Sequence, residues 1–483
     1  MAMINSAQIP AAFLLLLTAS SAAAQDLDQV VPVAEENIDE SDEMAVPDAN
    51  PDDVLIAEFE HFKQLMAENA LDDADSVAKR VVELAIQTKG TESNEFAKAL
   101  TNLAIVQFQT KQFESAVQNF ETAIGIIEDN EDRLNAQLVN PLKGLGAAQL
   151  ESGRPDLATR TFRRAVHVTH VNEGPHNLDQ IDLLESIAES FVRMGDLDSA
   201  KQAQDTIYAL NIRKYELDTP ELVPALMRRA AWQHRAGFIY DERASYRRAI
   251  RILEQYEGKD SLSLVQPLIL LGRSYFYFDT SGSQSLHDSS MTSGEIYFRR
   301  ATRIATEHPQ SDWRIQVQAS LALGDFYMYG DSPQRARQVY SGVWELLSLE
   351  ILDQQDPEKL DVRREQLERV TPLKHNKLPT HISRSSDDQA PDGENPLLQG
   401  HVTLSYTVST RGSATDLKLV EAVPPEFKNM VNHVQREMRR RIYRPRLVDG
   451  EVVETPDLLI RHEYFYRQSD FDTAKAAQAD ESD

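Results

Sequence analysis

The chain has 483 residues, 50 Lys and Arg against 77 Asp and Glu, a net charge of −27 and no cysteine. The missing thiols exclude disulfides, thiolate metal sites, a cysteine nucleophile and a cysteine-linked lipid. The acidity argues against general nucleic-acid binding, because phosphate contacts need a basic surface.

Residues 1–24 read as a signal peptide. The apolar run from Ala11 is too short to span a bilayer, and Ala22 and Ala24 form an A-x-A pattern that predicts cleavage before Gln25. The mature chain is then exported and has no membrane span; an uncleaved N-terminal anchor is the alternative. Residues 25–53 hold eleven Asp or Glu and no Lys or Arg. Such a segment does not collapse and is expected to be disordered.

Residues 54–349 repeat. Leu103-Ala104 with Ala116, Phe120 and Ala123 recurs 42 residues later as Leu145-Gly146 with Ala158, Phe162 and Ala165. The same step reaches Ile187-Ala188 with Phe191 and Ala200, then Arg229-Ala230 with Tyr246 and Ala249, then Leu271-Gly272 with Tyr275. A last unit, Leu323-Gly324 with Tyr327, Ala336 and Tyr340, follows after 52 residues. The polar stretch "DTSGSQSLHDSSMTSG" is read as a loop that absorbs the extra ten. Counting back reaches His61 and Ala74, a degenerate first unit, for seven units in all.

Each unit reads as two amphipathic helices. Small residues let the pair approach, and the Phe or Tyr of the second helix is expected to fill the gap to the next unit. The pattern resembles the tetratricopeptide repeat; HEAT and armadillo arrays share the period without these small residues. The resemblance implies a helical solenoid with a concave groove that holds a peptide or protein. Candidate groove positions are Asn140, Lys143, Arg235, Arg273, Tyr277 and Gln318.

Residues 350–397 begin with the charged helical stretch "DPEKLDVRREQLERV". A linker with Pro372, Pro379, Pro391 and Pro396 follows and is expected to be extended and mobile. From Gly400 the period becomes two, with Val402, Leu404, Tyr406 and Val408 on one face. "TRG" makes a turn and "ATDLKLVEAV" a second strand. A helix after Pro424-Pro425 carries Phe427, Met430, Val431, Val434 and Met438 at helical spacing. "EVVETPDLLIRHEYFYR" supplies a final strand. Six arginines fall within the eleven residues from Arg436 to Arg446. Arg439, Arg440, Arg441 and Arg444 are read as a basic helix end, where C-terminal carbonyls favour cations, or as a binding patch. Pro445 is expected to stop the helix, and Asp449-Gly450 to turn the chain into the last strand.

Residues 398–467 resemble the C-terminal domain of the energy transducer TonB. The resemblance rests on Gly400 and Val402, Gly412, Pro424 with Phe427, Met438-Arg439-Arg440, Tyr443-x-Pro445 and Asp449-Gly450. The expected fold class is mainly α, a tetratricopeptide-type solenoid followed by a small α+β (β-β-α-β) TonB C-terminal-like domain. Residues 468–483 form a disordered tail.

The TonB resemblance implies a Gram-negative periplasmic setting and capture of a short extended segment of an outer-membrane transporter on the edge of a sheet. It places that edge at Leu458, Leu459, Ile460, Arg461, His462, Glu463 and Tyr464. Side chains of Arg461, His462, Tyr464 and Tyr466 are expected to discriminate the guest. Implied partners are proteins or peptides, among them TonB-dependent transporters or a TonB/ExbB/ExbD-type complex. A retained anchor and a proline-rich spacer, both features of that family, are replaced by an exported N-terminus and the repeats. The reading is therefore an adaptor linked to transport. The alternative is an envelope scaffold whose last domain dimerises or binds peptidoglycan.

No catalytic, metal or cofactor site is expected. His167, His170 and His176 have no acidic residue at ligand spacing, and "HEYFY" at His462 is not H-E-x-x-H. Phosphate-loop, nucleophile-elbow and dinucleotide fingerprints are missing.

Overall fold

A computed structural model describes residues 50–276, 284–348, 364–365, 367–374, 398–425 and 427–466, with backbone alone for 284–293 and 374. Residues 1–24, expected to be a signal peptide, Tyr277, most of the acidic segment, most of residues 350–397 and residues 467–483 lie outside the described residues. The chain divides into two compact units between Phe238 and Ile239.

The first unit holds α1 (Pro51–Ala67), α2 (Leu71–Lys89), α3 (Asn94–Gln109), α4 (Phe113–Asn130), α5 (Val139–Glu151), α6 (Pro155–Glu173), α7 (Ile181–Met194), α8 (Leu197–Tyr215) and α9 (Val223–Arg235). The acidic segment does not run on to Asp53 as a tail. Pro51 opens α1, the Asn50 side chain accepts from the Asp52 amide at 3.3 Å, and Asp52 and Asp53 occupy the first turn. Carboxylates are favoured there by the helix dipole, and Asp52 also pairs with Lys89 of α2 at 2.8 Å.

The small residues act as the repeat pattern requires, and the aromatic rings seat on them. A side chain at Gly146 on α5 would come within 2.6 Å of the Phe162 ring on α6. Phe162 thus seats on the small residue of its own pair, in a core cluster shared with Leu183 and Ile187 of α7. Phe120 of α4 does reach forward, onto Gly144 of α5. Both rings are at most 1% exposed.

The second unit begins with α10 (Ile239–Glu257), α11 (Val265–Arg273), α12 (Gln284–Glu307), α13 (Trp313–Tyr329) and α14 (Pro333–Leu347). Gly272 lies against Phe298, and Gly324 against Tyr340, in the same manner. The inserted polar stretch is not a loop from Gln284 onward, because α12 takes it in and reaches 24 residues. No proline or glycine interrupts 284–293, and extending an existing helix avoids the cost of a new nucleus.

The rest of this unit contains β1 (Thr371–Lys374), β2 (Leu398–Val408), β3 (Ala414–Val423), α15 (Lys428–Arg439), β4 (Ile442–Arg444), β5 (Arg446–Val448), β6 (Glu451–Val453) and β7 (Thr455–Tyr466). The predicted β-β-α-β frame is present as β2, β3, α15 and β7, with short strands added. The three-stranded sheet has the order β3-β2-β7. Val402, Leu404 and Val408 of β2 meet Met430, Val434 and Met438 of α15, all fully buried.

Three expectations fail in this region. Pro372 belongs to β1, opposite Tyr443 of β4, so the proline-bearing segment starts as paired strand rather than free linker. Pro445 does not end α15, which stops at Arg439 with Arg440 as its cap. Pro445 instead separates β4 from β5. The Asp449-Gly450 turn joins β5 to β6, not to the last strand, with φ of 51° and 81°. Positive φ at both central residues suits a two-residue hairpin turn.

Burial, and then Tyr466, hold the Tyr464 phenol up at about 12. Burial likewise raises Tyr340 and Tyr443. Unfolded tyrosine ionises at about 10. The contribution of these rings is complete below that value and is lost as pH rises through their folded-state values. Urea midpoints of the second unit should fall in the alkaline range, and a midpoint equal to that at neutral pH would contradict this assignment.

Candidate functional site: a sheet margin held against the last helical pair

β7 alternates. Leu458, Ile460, His462, Tyr464 and Tyr466 point to the core side, while Leu459, Arg461, Glu463 and Phe465 point outward. This follows from the period of two in a strand. His462, Tyr464 and Tyr466 are at most 9% exposed, so they are core residues and do not face a guest's outer side chains. The Tyr464 hydroxyl donates to the Val423 carbonyl at 3.1 Å, tying β7 to the end of β3. A side chain at Gly400 would strike both that carbonyl and the Tyr464 ring, at 2.5 and 2.8 Å.

The outward face is polar near its centre. His401 Nε2 lies 2.9 Å from Glu421, Arg461 reaches His401 Nδ1 at 3.2 Å, and Gln399 donates to Glu463 at 3.3 Å. Leu459 and Phe465 flank this cluster with 67% and 44% exposure. β7 pairs with β2 from Leu398↔Tyr466 to Val408↔Thr455. Among the described residues nothing pairs with its other margin. A strand of twelve residues therefore presents one row of amide and carbonyl groups.

Arg444 is not part of a basic helix end. It sits in β4, 8% exposed, and its guanidinium grips Asp325 of α13 with two hydrogen bonds, Nε to Oδ1 at 2.8 Å and Nη2 to Oδ2 at 2.6 Å. The Tyr340 hydroxyl of α14 donates to the same carboxylate at 2.9 Å. Burial opposes the Arg444 charge, but Asp325 and Tyr340 outweigh it and hold its pKa above the ordinary arginine value.

Around this ion pair the fit is close. A Cβ on Gly412, at φ +77°, would meet the Tyr443 carbonyl and Met328 of α13. Gly450 packs against the Trp344 ring of α14, and Ser341 Oγ donates to its carbonyl at 3.0 Å. The small β domain is thus fixed to the last helical pair. Of the other arginines, Arg439 is exposed, Arg440 pairs with Glu437 at 2.9 Å, and Arg441 is half-buried.

The groove positions are scattered. Lys143 bridges to Asp182 at 3.2 Å, linking α5 to α7, and Gln318 donates to Gln266 at 2.7 Å, linking α13 to α11. Asn140, Arg235 and Arg273 are exposed. Glu185 lies near Arg228 and Arg235; burial raises its pKa and the arginines oppose that. His167, His170 and His176 are exposed. Among the described residues no cluster of acidic or imidazole groups is placed to hold a metal, and no helix is long and apolar enough to cross a membrane.

Asp325, Trp344 and Met328 were not singled out from the sequence, and Tyr340 was read only as the aromatic of the last repeat unit. The one available signal was a carboxylate inside the apolar run "LALGDFYMY", where a buried charge requires a partner.

With this geometry in hand, residues 97–130 match the family described as Tetratricopeptide repeat. The match falls on the α3–α4 pair. Solved structures with similar helices include the nearly identical TPR-like repeats of a kinesin light chain-type protein from Podosopora anserina, at 13% identity. They cover 43% of this chain and 98% of that one, with a TM-score of 0.39. The C-terminal part of a TPR repeat-containing protein from Cytophaga hutchinsonii gives 13% identity, 63% and 98% coverage and a TM-score of 0.37. Pseudomonas aeruginosa PilF gives 15%, 56% and 98%, and 0.32. No curated protein sequence matches the chain.

Proposed function

We propose that this chain is a non-enzymatic periplasmic adaptor. Its tetratricopeptide-type helices dock one protein, and its TonB-like domain accepts an extended peptide along β7, in connection with TonB-dependent transport. The observation that carries the reading is the single pairing of β7: a twelve-residue strand has a neighbour on one side and none among the described residues on the other.

Strand addition satisfies that row with about 0.5–1.5 kcal/mol net per hydrogen bond. A handful of such bonds gives weak binding, so side chains must add the rest. The outward residues Leu459, Arg461, Glu463 and Phe465 are the ones available for this, in place of His462 and Tyr464. The Arg444–Asp325 pair gives the adaptor its physical sense, because whatever β7 holds is kept beside α13 and α14.

The test is titration of the full chain with synthetic peptides copied from periplasmic segments of outer-membrane transporters. Ile460→Pro should weaken binding by about tenfold or more, through loss of backbone pairing. Circular dichroism must show that this variant keeps its fold. Equal affinity in a folded variant would remove strand addition as the mode of binding.

A further inference from the structure

From α3–α4 onward the helical pairs follow one packing rule at every step but one. The rings of Phe120 and Phe162 recur as Tyr246, Phe298 and Tyr340 in later pairs, and all of them are at most 3% exposed. The equivalent residue of α8 is Gln204. Leu103, Leu145, Ile187, Leu271 and Leu323 stand just before the small residue of a first helix, and on α9 that place is taken by Arg229. Both exceptions fall at one junction, where α8 meets α9. A local rule broken at one place in an otherwise consistent array marks a strained or functional position.

The packing changes there accordingly. One apolar core runs from Val81 on α2 to Ala203 on α8 and takes in no residue of α9. α8 packs more sparsely on α9 than any other second helix packs on the first helix of the following pair. Where a ring would sit there is a polar pocket with room for about one water, with Glu185, Gln204, Asn211, Arg228 and Arg229 in its walls. Gln204 and Asn211 are buried, and Arg229 Nε has no hydrogen-bond partner among the described residues.

Polar groups hold this junction shut. Arg229 Nη2 lies 2.5 Å from the Asp205 carboxylate of α8, and the guanidinium lies 4.2 Å from the centre of the Tyr208 ring. Asp205 is half exposed. Ion pairs of that kind are weak and are screened by salt. A buried ring such as Phe162 draws instead on apolar area, which simple screening does not touch.

We propose that the α8–α9 junction is a latched joint of the first unit. It exchanges between the closed arrangement and an open, hydrated one, while the junctions sealed by Phe120 and Phe162 stay rigid. Arg229 with Asp205 and Tyr208 is the latch, and the pocket beside Gln204 is where water enters. Opening carries Arg228 of α9 away from Glu185 of α7, so the helical surface is adjustable at this step alone. The joint is a property of the array and does not depend on what the repeats dock.

The chain has no cysteine, so nitroxide labels attach only where a cysteine is introduced. Ala209→Cys on α8 with Ala231→Cys on α9, both exposed, report on the joint. His167→Cys with Glu189→Cys place labels at the equivalent positions of the α6–α7 junction. Distance distributions from electron paramagnetic resonance on the full chain should be broader for the first pair. They should broaden further, for that pair alone, from about 0.1 M to about 1 M NaCl, as the screening length falls from about 10 to about 3 Å. Asp205→Asn should raise the open fraction about two- to fivefold, the effect of losing an exposed ion pair.

Gln204→Phe with Arg229→Leu restores the packing rule. It should narrow the distribution to that of the control junction and abolish its salt dependence, with circular dichroism showing the variant folded. Equal widths at the two junctions in both salt conditions overturn the proposal. So does a broad distribution that neither salt nor Asp205→Asn changes, or one that persists in the folded double variant.

Discussion

Arg444→Ala should cost the second unit about 3–5 kcal/mol, the range for breaking a buried ion pair by removing one partner. The Asp325 carboxyl, 8% exposed, would be left with the Tyr340 hydroxyl as its remaining donor. Asp325→Ala should cost a similar amount, because the guanidinium would be stranded in turn. The double variant Arg444→Met with Asp325→Leu should recover most of the loss, since apolar side chains of similar size often replace a buried pair without penalty. Urea unfolding followed through Trp344, whose ring lies against Gly450, reads this directly. A neutral single substitution would mean that the β domain is not held to α13 through this pair.

Phe162→Ala carries the second large effect, about 3–5 kcal/mol. The ring is 1% exposed and sits where Gly146 offers no side chain. Removing it leaves a void that the facing backbone cannot fill. Gly146→Leu should also destabilise, because a Cβ there already falls within 2.6 Å of the ring and overpacking forces the helices apart. Thermal unfolding of the first unit, read at Trp232, checks both. A loss under 1 kcal/mol for Phe162→Ala would show that α5 and α6 close over the gap, below the about 2–5 kcal/mol usual for large core truncations.

The repeats were legible because their signal is local and repeated. Every Leu-Gly or Leu-Ala step fixes one close approach, and the period fixes the next. The alternation of Val402, Leu404 and Val408, and the helical spacing of Met430, Val434 and Met438, likewise encode a face without reference to the rest of the chain. What was illegible is long-range. Asp325 and Arg444 are 119 residues apart, and nothing in either neighbourhood names the other. The same distance effect hid β1, because a four-residue strand with a proline looks like linker until Tyr443 pairs with it.

The expected margin lies within β7, at the edge of the sheet, but only half of its side chains face outward. Treating Leu458–Tyr466 as one exposed ribbon overlooked the consequence of alternation, that half of it must be core. His462 and Tyr464 went inward for that reason, and Leu459 and Phe465 outward.

The free margin of β7 is tested most directly by amide hydrogen exchange, resolved by residue, on the full chain. The β7 amides that point away from β2 should exchange quickly in the free chain and slow markedly when a transporter peptide is added, while those bonded to β2 stay protected throughout. Protection of both sets before any peptide is present, or fast exchange that persists at saturating peptide, would contradict it.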